Sequence, residues 1–257
     1  MAESTLSGRH VDAIPRPRSP YAAGHRTAVD LELVVPAFNE AGRLPATLDA
    51  LTAFLRRQSW RSRVVVVDNG STDGTATAVA GHPDVVVIGC ARPGKGAAVR
   101  RGLAGSTARF VGFVDADLST PVQTLTRAVS ELEAGAAAAI GSRHAPGAEL
   151  VHPQSLGRRA GGAVFRMLAR KLVPEVHDTQ CGFKVFERVA VQRALDRCQV
   201  SGFAFDVELL LQIRRAGGRI AEVAVAWTDD ERSTFRPLHD GRAAFVDLLR
   251  LYRAVHR

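Results

Sequence analysis

The chain has 257 residues, 46% of them hydrophobic and 23% charged, which suits one sizeable α/β domain and excludes a fibrous or wholly disordered protein. Its formal charge of +8 points to an anionic partner without choosing among nucleic acid, a phosphorylated small molecule and acidic lipid. Cys90, Cys181 and Cys198 are too few and too scattered for a disulfide framework or a zinc site, and no apolar run reaches the roughly 18–20 residues that span a bilayer.

Residues 1–28 are polar and proline-containing and are expected to form a disordered leader. The β-rich run 31–37 reads as a first strand, stopped by Phe38-Asn39-Glu40. A helix is expected over 45–57, with Leu44, Leu48, Leu51 and Leu55 on one face. Val64-Val65-Val66-Val67 is a second strand, ending at Asp68-Asn69-Gly70-Ser71-Thr72-Asp73-Gly74. A short helix over 75–80, a third strand over 85–88 and a helix opened by Gly94-Lys95-Gly96 follow. A fourth strand, 110–114, runs straight into Asp115-Ala116-Asp117.

Strand, loop and helix thus alternate through the first half, with nearly continuous apolar strands. That pattern predicts a Rossmann-like, mainly parallel sheet with helices on both faces. Ligands of such sheets gather at the carboxyl ends of the strands, where the acidic and glycine-rich segments fall. The second half is less regular. Helices are expected over 125–134, 158–172, 185–198 and 207–216, strands over 137–141 and 219–227, and loops over 144–153 and 228–240. A basic amphipathic helix over 242–257 closes the chain after a domain spanning 29–241.

Asp115 and Asp117 at the end of a buried strand suit a hard divalent cation that neutralises a diphosphate; the blander reading is a solvated acidic turn. Asp68 beside Gly70 suits a base or ribose, as does Glu40 after Pro36 and Phe38; turn formation and helix entry are the alternatives. Asp73 is placed as an Asx-turn or helix cap. Lysine occurs only at Lys95, Lys171 and Lys184 in this arginine-rich chain, which marks each one. Lys95, among glycines, is placed to approach a nucleotide, and Arg143 a phosphate or plain solvent. Asp178, Gln180 and Lys184 lie in a segment that looks too polar for a core. Asp206 and Glu208 open a helix, as acidic residues favour.

Taken in order, Val35-Pro36-Ala37-Phe38-Asn39-Glu40, the segment from Val67 to Thr75 and Asp115-Ala116-Asp117 resemble the successive motifs of family 2 glycosyltransferases. Gly94-Lys95-Gly96, Gly141-Ser142-Arg143, the segment Asp178–Lys184 and the segment Phe203–Leu210 bring the resemblance closest to polyprenyl-phosphate glycosyltransferases, in particular dolichyl-phosphate β-glucosyltransferases. One departure is Asn69, where the family commonly has a second acid.

The resemblance implies a GT-A fold with a smaller acceptor-side subregion. It implies inverting transfer from a nucleotide-sugar, UDP-glucose favoured over GDP-sugars, with Mg²⁺ or Mn²⁺ on Asp115 and Asp117. Pro36, Phe38, Glu40, Asp68, Gly70, Lys95, Ala116 and Arg143 then face the donor. Asp178, Gln180 and Lys184 face sugar and acceptor, and Asp206 takes the general-base position. The acceptor implied is a polyprenyl phosphate at the cytoplasmic membrane face, with a hydroxyl-bearing soluble molecule as the alternative. Arg158, Arg159, Arg166, Arg170 and Lys171, with Arg232, Ser233 and Arg236, would offer cations to anionic lipid. Nucleic acid is disfavoured, because no zinc finger, helix-turn-helix or aromatic-basic platform accompanies the charge.

Overall fold

The computed structural model describes residues 29–150, 156–228 and 239–255, so the expected leader lies outside the described residues. Its strands are β1 (Leu31–Ala37), β2 (Ser62–Asp68), β3 (Val85–Gly89), β4 (Phe110–Val114), β5 (Ala138–Ser142), β6 (Glu149–Leu150), β7 (Phe183–Glu187), β8 (Ile220–Ala224) and β9 (Ala226–Trp227). The helices are α1 (Leu44–Leu55), α2 (Lys95–Gly105), α3 (Thr124–Glu133), α4 (Leu156–Leu172), α5 (Arg188–Leu195), α6 (Phe205–Arg215) and α7 (His239–Val255).

Seven strands form one sheet in the order β3-β2-β1-β4-β7-β5-β8, while β6 and β9 pair in a small separate ribbon. Every pairing in the large sheet is parallel except those of β7, which runs antiparallel to both β4 and β5. β-Branched residues suit the pleat, and Val64, Val66 and Val67 of β2 are buried almost completely. Two cores flank the sheet. On one side α1 and α3 contribute Leu44, Leu48, Leu51, Leu125 and Leu132. On the other, α2, α5, α6 and α7 contribute Leu103, Leu195, Leu210 and Leu248. The mainly parallel α/β layout expected from the sequence is therefore present, with helices on both faces.

Four expectations need correction. The stretch 185–198 is not one helix, because Phe183-Lys184-Val185-Phe186 forms β7 and Glu187 then caps α5, accepting the Ala190 N–H at 2.8 Å. The short helix expected over 75–80 is a 3-10 turn over Thr77–Val79. β3 is an edge strand, not a strand covered on both faces, with Val86 and Val87 exposed. The last strand breaks after Ala224 into β8 and β9, and β9 pairs with β6 inside the expected 144–153 loop.

Candidate active site

The ends of β1 and β2 are stitched together by hydrogen bonds between their loops. Asn39, at φ 55, donates its N–H to Ser71 Oγ at 3.0 Å and accepts the Thr72 N–H at 2.9 Å. Glu40 N–H reaches Thr75 Oγ1 at 2.8 Å, and Ala41 N–H reaches Asp73 Oδ2 at 3.1 Å. Asp73 also accepts the Thr75 hydroxyl and N–H, which lower its carboxyl below the ordinary range. It serves as the expected turn residue.

Phe38 is half exposed beside this seam, and Pro36 sits half-buried within β1, opposite Val67. The buried Glu40 carboxylate is taken by Arg43, which donates Nη2–H to Oε1 at 2.6 Å and a second bond from Nε. Asp68 ends β2 half-buried, its Oδ1 accepting the Ser71 N–H at 3.3 Å across Gly70.

Asn69 fastens the next loop. Its amide donates to the carbonyls of Cys90 and Arg92, at 3.2 and 2.8 Å, and accepts the Gly94 N–H at 2.8 Å. An aspartate could not donate the first two of these bonds. Gly94 adopts φ 114, and a Cβ there would come within 2.6 Å of the Ser201 carbonyl. The loop thus hands the chain into α2 with Lys95 at its first turn.

Lys95 Nζ lies 2.7 and 2.9 Å from the two oxygens of Asp115. Burial works against the ammonium, but Asp115 and Asp206 outweigh it and push its pKa up to about 12. Asp115 is pressed against the chain before β7: a Cβ on Gly182 would approach its Oδ2 to 1.9 Å, so only glycine leaves room. Asp117 is half-buried and accepts the Ser119 N–H at 2.9 Å. The intervening Ala116 is buried, and its carbonyl accepts the Thr47 hydroxyl.

Two carboxylates at one strand end, with Gly182 leaving room beside the first, fit a hard divalent cation. Among the described residues no group of three or more metal-ligating side chains occurs, so the protein would supply part of such a shell.

Behind Lys95 the charges continue inward. Asp206, in the first turn of α6, is 6% exposed, and its Oδ1 has Lys184 Nζ at 3.5 Å but no hydrogen bond. Burial raises the Asp206 pKa, opposed by Lys184 and Lys95. Lys184 is fully buried, donates to the Cys181 carbonyl at 2.6 Å and stands 5.2 Å from the Phe113 ring centre. Asp115, Lys95, Asp206 and Lys184 therefore form a row of alternating sign. Glu208, two residues further along the same helix, holds the preceding loop by accepting the N–H groups of Gln199 and Val200 at 2.9 and 2.7 Å.

Asp178 and Arg143 are spent on each other. Arg143 donates Nε–H and Nη2–H to Asp178 at 2.7 and 2.8 Å, and its backbone N–H at 3.0 Å. Gln180 N–H adds a bond at 3.2 Å, and Glu222 accepts the Asp178 N–H at 3.0 Å. Asp178 is fully buried, and the Arg143 guanidinium stacks 5.2 Å from the Trp227 ring centre. Burial alone would raise the Asp178 pKa, yet Arg143 holds it well below the carboxylate range. The polarity of 178–184 thus marks a buried network, not a surface loop.

The structure brings Asp68, Asn69, Lys95, Asp115, Asp117, Lys184 and Asp206 around the carboxyl ends of β2 and β4. It turns Glu40, Asp178 and Arg143 toward internal partners, leaving Gln180 half-buried beside them. Sequence reasoning missed Gly182, Glu222 and the role of Asn69. Only Asn69 carried a signal, as the departure from a paired acid. Arg232, Ser233 and Arg236 lie outside the described residues, as do the side chains of Arg158 and Arg159.

Comparisons with known proteins bear on the family and the fold. Residues 32–195 match the model of glycosyl transferase family 2. The dolichyl-phosphate beta-glucosyltransferase of Homo sapiens is 34% identical over 238 residues, covering 85% of this chain and 74% of that protein. Its counterpart from Dictyostelium discoideum is 32% identical over 239 residues, covering 86% and 73%. Among solved structures, glucosyl-3-phosphoglycerate synthase from Mycobacterium tuberculosis with Mn²⁺, UDP and glucosyl-3-phosphoglycerate superposes with a TM-score of 0.68 at 22% identity, covering 86% of this chain and 79% of that one. The same enzyme with Mn²⁺ and UDP-glucose gives 0.67 at 21% identity, with the same coverage. These structures share the fold; the family match and the two relatives establish that this chain is a glycosyltransferase belonging to glycosyl transferase family 2.

Proposed function

We propose that the protein transfers glucose from UDP-glucose to a polyprenyl phosphate with inversion at the anomeric carbon. The observation that carries this is the alternating row Asp115, Lys95, Asp206, Lys184 at the carboxyl end of β4. It lies in a chain that aligns over most of its length with dolichyl-phosphate beta-glucosyltransferases. Asp68 and the Asn39–Ser71 seam shape the nucleoside end. Lys95 meets the diphosphate at the start of α2, where helix N–H groups favour an anion. Asp115 and Asp117 would hold Mg²⁺ or Mn²⁺, which when bound neutralises charge on the departing diphosphate.

A lipid monophosphate is largely ionised near neutral pH and attacks without a base. Asp206 then orients the acceptor phosphate's surroundings through Lys95, and Lys184 holds Asp206 in place. Arg143 and Asp178 act as positioning residues that fix the chain before β7. A peripheral contact with anionic membrane belongs to the same proposal. Exposed Val164 and Met167 on α4, and Phe245 and Val246 on α7, are interspersed with Arg170 and Arg253. No helix among the described residues is long and apolar enough to cross a membrane.

Asp206 also favours a second reading, in which the acceptor is a soluble hydroxyl compound. A nearly buried carboxylate with a raised pKa and an oxygen lacking a hydrogen bond suits a general base.

The test is UDP or GDP release from a panel of nucleotide-sugars with Mn²⁺ or Mg²⁺, with and without a short polyprenyl phosphate, beside Asp117→Ala. Release from UDP-glucose that depends on the lipid and vanishes in the variant supports the proposal. Donor hydrolysis that lipid does not stimulate moves the acceptor to the second reading. No turnover of any donor overturns both.

A further inference from the structure

We propose that Lys95 is an internal counter-cation that occupies Asp115 until a nucleoside diphosphate arrives, so that divalent metal and nucleotide bind as a coupled pair. The inference rests on the donor-site reading above and adds the order in which its charges are exchanged. Lys95 Nζ sits on both oxygens of Asp115, at 2.7 and 2.9 Å, and so covers the carboxylate that a metal would use. A cation entering alone must therefore displace the ammonium.

The placement of Lys95 is built into the fold. Asn69 Oδ1 holds the Gly94 N–H at 2.8 Å, immediately before it. A Cβ at Gly96, immediately after it, would come within 2.5 Å of Phe205 Cβ and 2.8 Å of the Gly202 carbonyl. The first turn of α2 is thereby wedged between the β2 end and the loop that opens α6. The backbone cannot slide, but the lysine stem can swing between Asp115 and whatever anion lies at the helix terminus.

Charge counting gives the direction of the coupling. Asp115, Asp117 and Asp206 face Lys95 and Lys184, three carboxylates against two ammonium groups, leaving one net negative charge. A divalent cation alone would invert that charge at a half-exposed site, where solvent screens the imbalance only in part. A divalent cation together with a doubly anionic nucleotide-sugar restores the original balance. Lys95 then leaves Asp115 for the diphosphate, while the metal takes its place.

Manganese binding to the full chain, read from the electron paramagnetic resonance of free Mn²⁺, tests this. It is run on the wild type, Lys95→Met, Lys95→Arg and Asp115→Asn, each with and without UDP, after thermal melts confirm that the variants fold. Lys95→Met is expected to bind Mn²⁺ alone about tenfold more tightly than wild type, and UDP alone more weakly, with Lys95→Arg close to wild type. Linkage requires the factor by which UDP tightens Mn²⁺ to equal the factor by which Mn²⁺ tightens UDP. That factor shrinks in Lys95→Met.

Equal Mn²⁺ affinity of Lys95→Met and wild type without nucleotide overturns the proposal, provided Asp115→Asn abolishes binding. A structure with UDP and Mn²⁺ in which Nζ still contacts both Asp115 oxygens overturns it as well. Mn²⁺ binding that ignores Asp115→Asn, or is absent even with UDP, instead removes the donor-site reading and the proposal with it.

Discussion

The two halves of the sheet treat charge in opposite ways. Around β1, β2 and β4 the charged side chains of the candidate donor site, Asp68, Lys95, Asp115 and Asp117, sit half-exposed at strand ends, although Glu32 and Glu40 are buried against Arg63 and Arg43. Around β5, β7 and β8 charged side chains are driven inside. Asp178 and Lys184 are wholly buried, and Glu208 is 3% exposed. The first set is available to a ligand; the second is consumed in fixing backbone. A half-exposed strand end keeps its desolvation cost low until a ligand arrives, whereas a buried ion pair is costly unless most of its oxygens and protons find partners. Substitutions in the two halves should consequently fail differently, one in chemistry and the other in folding.

The strongest way to break that contrast is Asp178→Asn. It leaves the Arg143 guanidinium without its countercharge in a buried setting, which costs about 3–5 kcal/mol. For a domain of this size the thermal midpoint falls by roughly 6–20 °C. Because Arg143 holds the folded Asp178 pKa below its ordinary 3.8, this stabilisation is fully present above that value and is lost as pH falls through the lower, folded one. The gap in melting temperature between wild type and variant should therefore be widest near neutral pH and narrow below pH 3.8. A gap that stays constant down to acid unfolding would mean the pair is not ionised as described.

Asp117→Ala probes the other half. Its half-exposed carboxylate accepts one local N–H, so stability should change by about 0.5–1.5 kcal/mol at most. Turnover of UDP-glucose should fall by about 10²–10³-fold, comparable to losing one donor from an electrostatic site. A melting point lowered as far as in Asp178→Asn would erase the distinction between the halves.

That distinction also explains what could be read in the sequence. Val64–Val67 and Phe110–Val114 announce buried parallel strands by composition alone, and the acids that follow them fall at the sheet's carboxyl edge by topology. The placement of Asp115 and Asp117 was legible for that reason. β7 was not, because the alternation Phe183-Lys184-Val185-Phe186 places a lysine where a central strand normally has none. Its ammonium is accommodated by the nearby Cys181 carbonyl together with the Phe113 ring and Asp206, and the last two come from segments distant in the chain. Arg143 and Asp178 stand 35 residues apart and meet only once β5 and β7 pair. No local spacing encodes such a contact. The sequence likewise could not distinguish Asp178 that binds sugar from Asp178 that binds Arg143.

Gly182→Ala tests the seam between the halves, since Gly182 precedes β7 yet abuts Asp115. The added methyl would sit 1.9 Å from Asp115 Oδ2, so the carboxylate or the strand must shift. Overpacking of this kind costs about 1–3 kcal/mol. The carboxylate is the softer of the two, so Mn²⁺ affinity should fall further than stability. Mn²⁺ titration beside a thermal melt measures both. Unchanged affinity with a lowered melting point would place the strain in β7.

The smallest expected effect belongs to Asn69→Asp, and it asks whether a donor-half residue can be purely positional. The substitution keeps the oxygen that accepts the Gly94 N–H but replaces the NH₂ group that serves the Cys90 and Arg92 carbonyls. Asn69 is half-buried, so water can partly replace the lost partners, and the cost should be about 1 kcal/mol. A carboxylate would also face two carbonyl oxygens and push that loop away from β2. Because Lys95 follows Gly94 directly, the displacement should appear as a several-fold rise in KM for UDP-glucose with kcat changed less, on the order of the 10-fold seen when a supporting shell is disturbed. Asn69→Gln, which retains the amide but lengthens the reach, should recover only part of the loss. Steady-state kinetics on both variants decide the matter: equal KM values for wild type and Asn69→Asp would show that the loop holds Lys95 without Asn69, and that the departure from a paired acid is neutral in this chain.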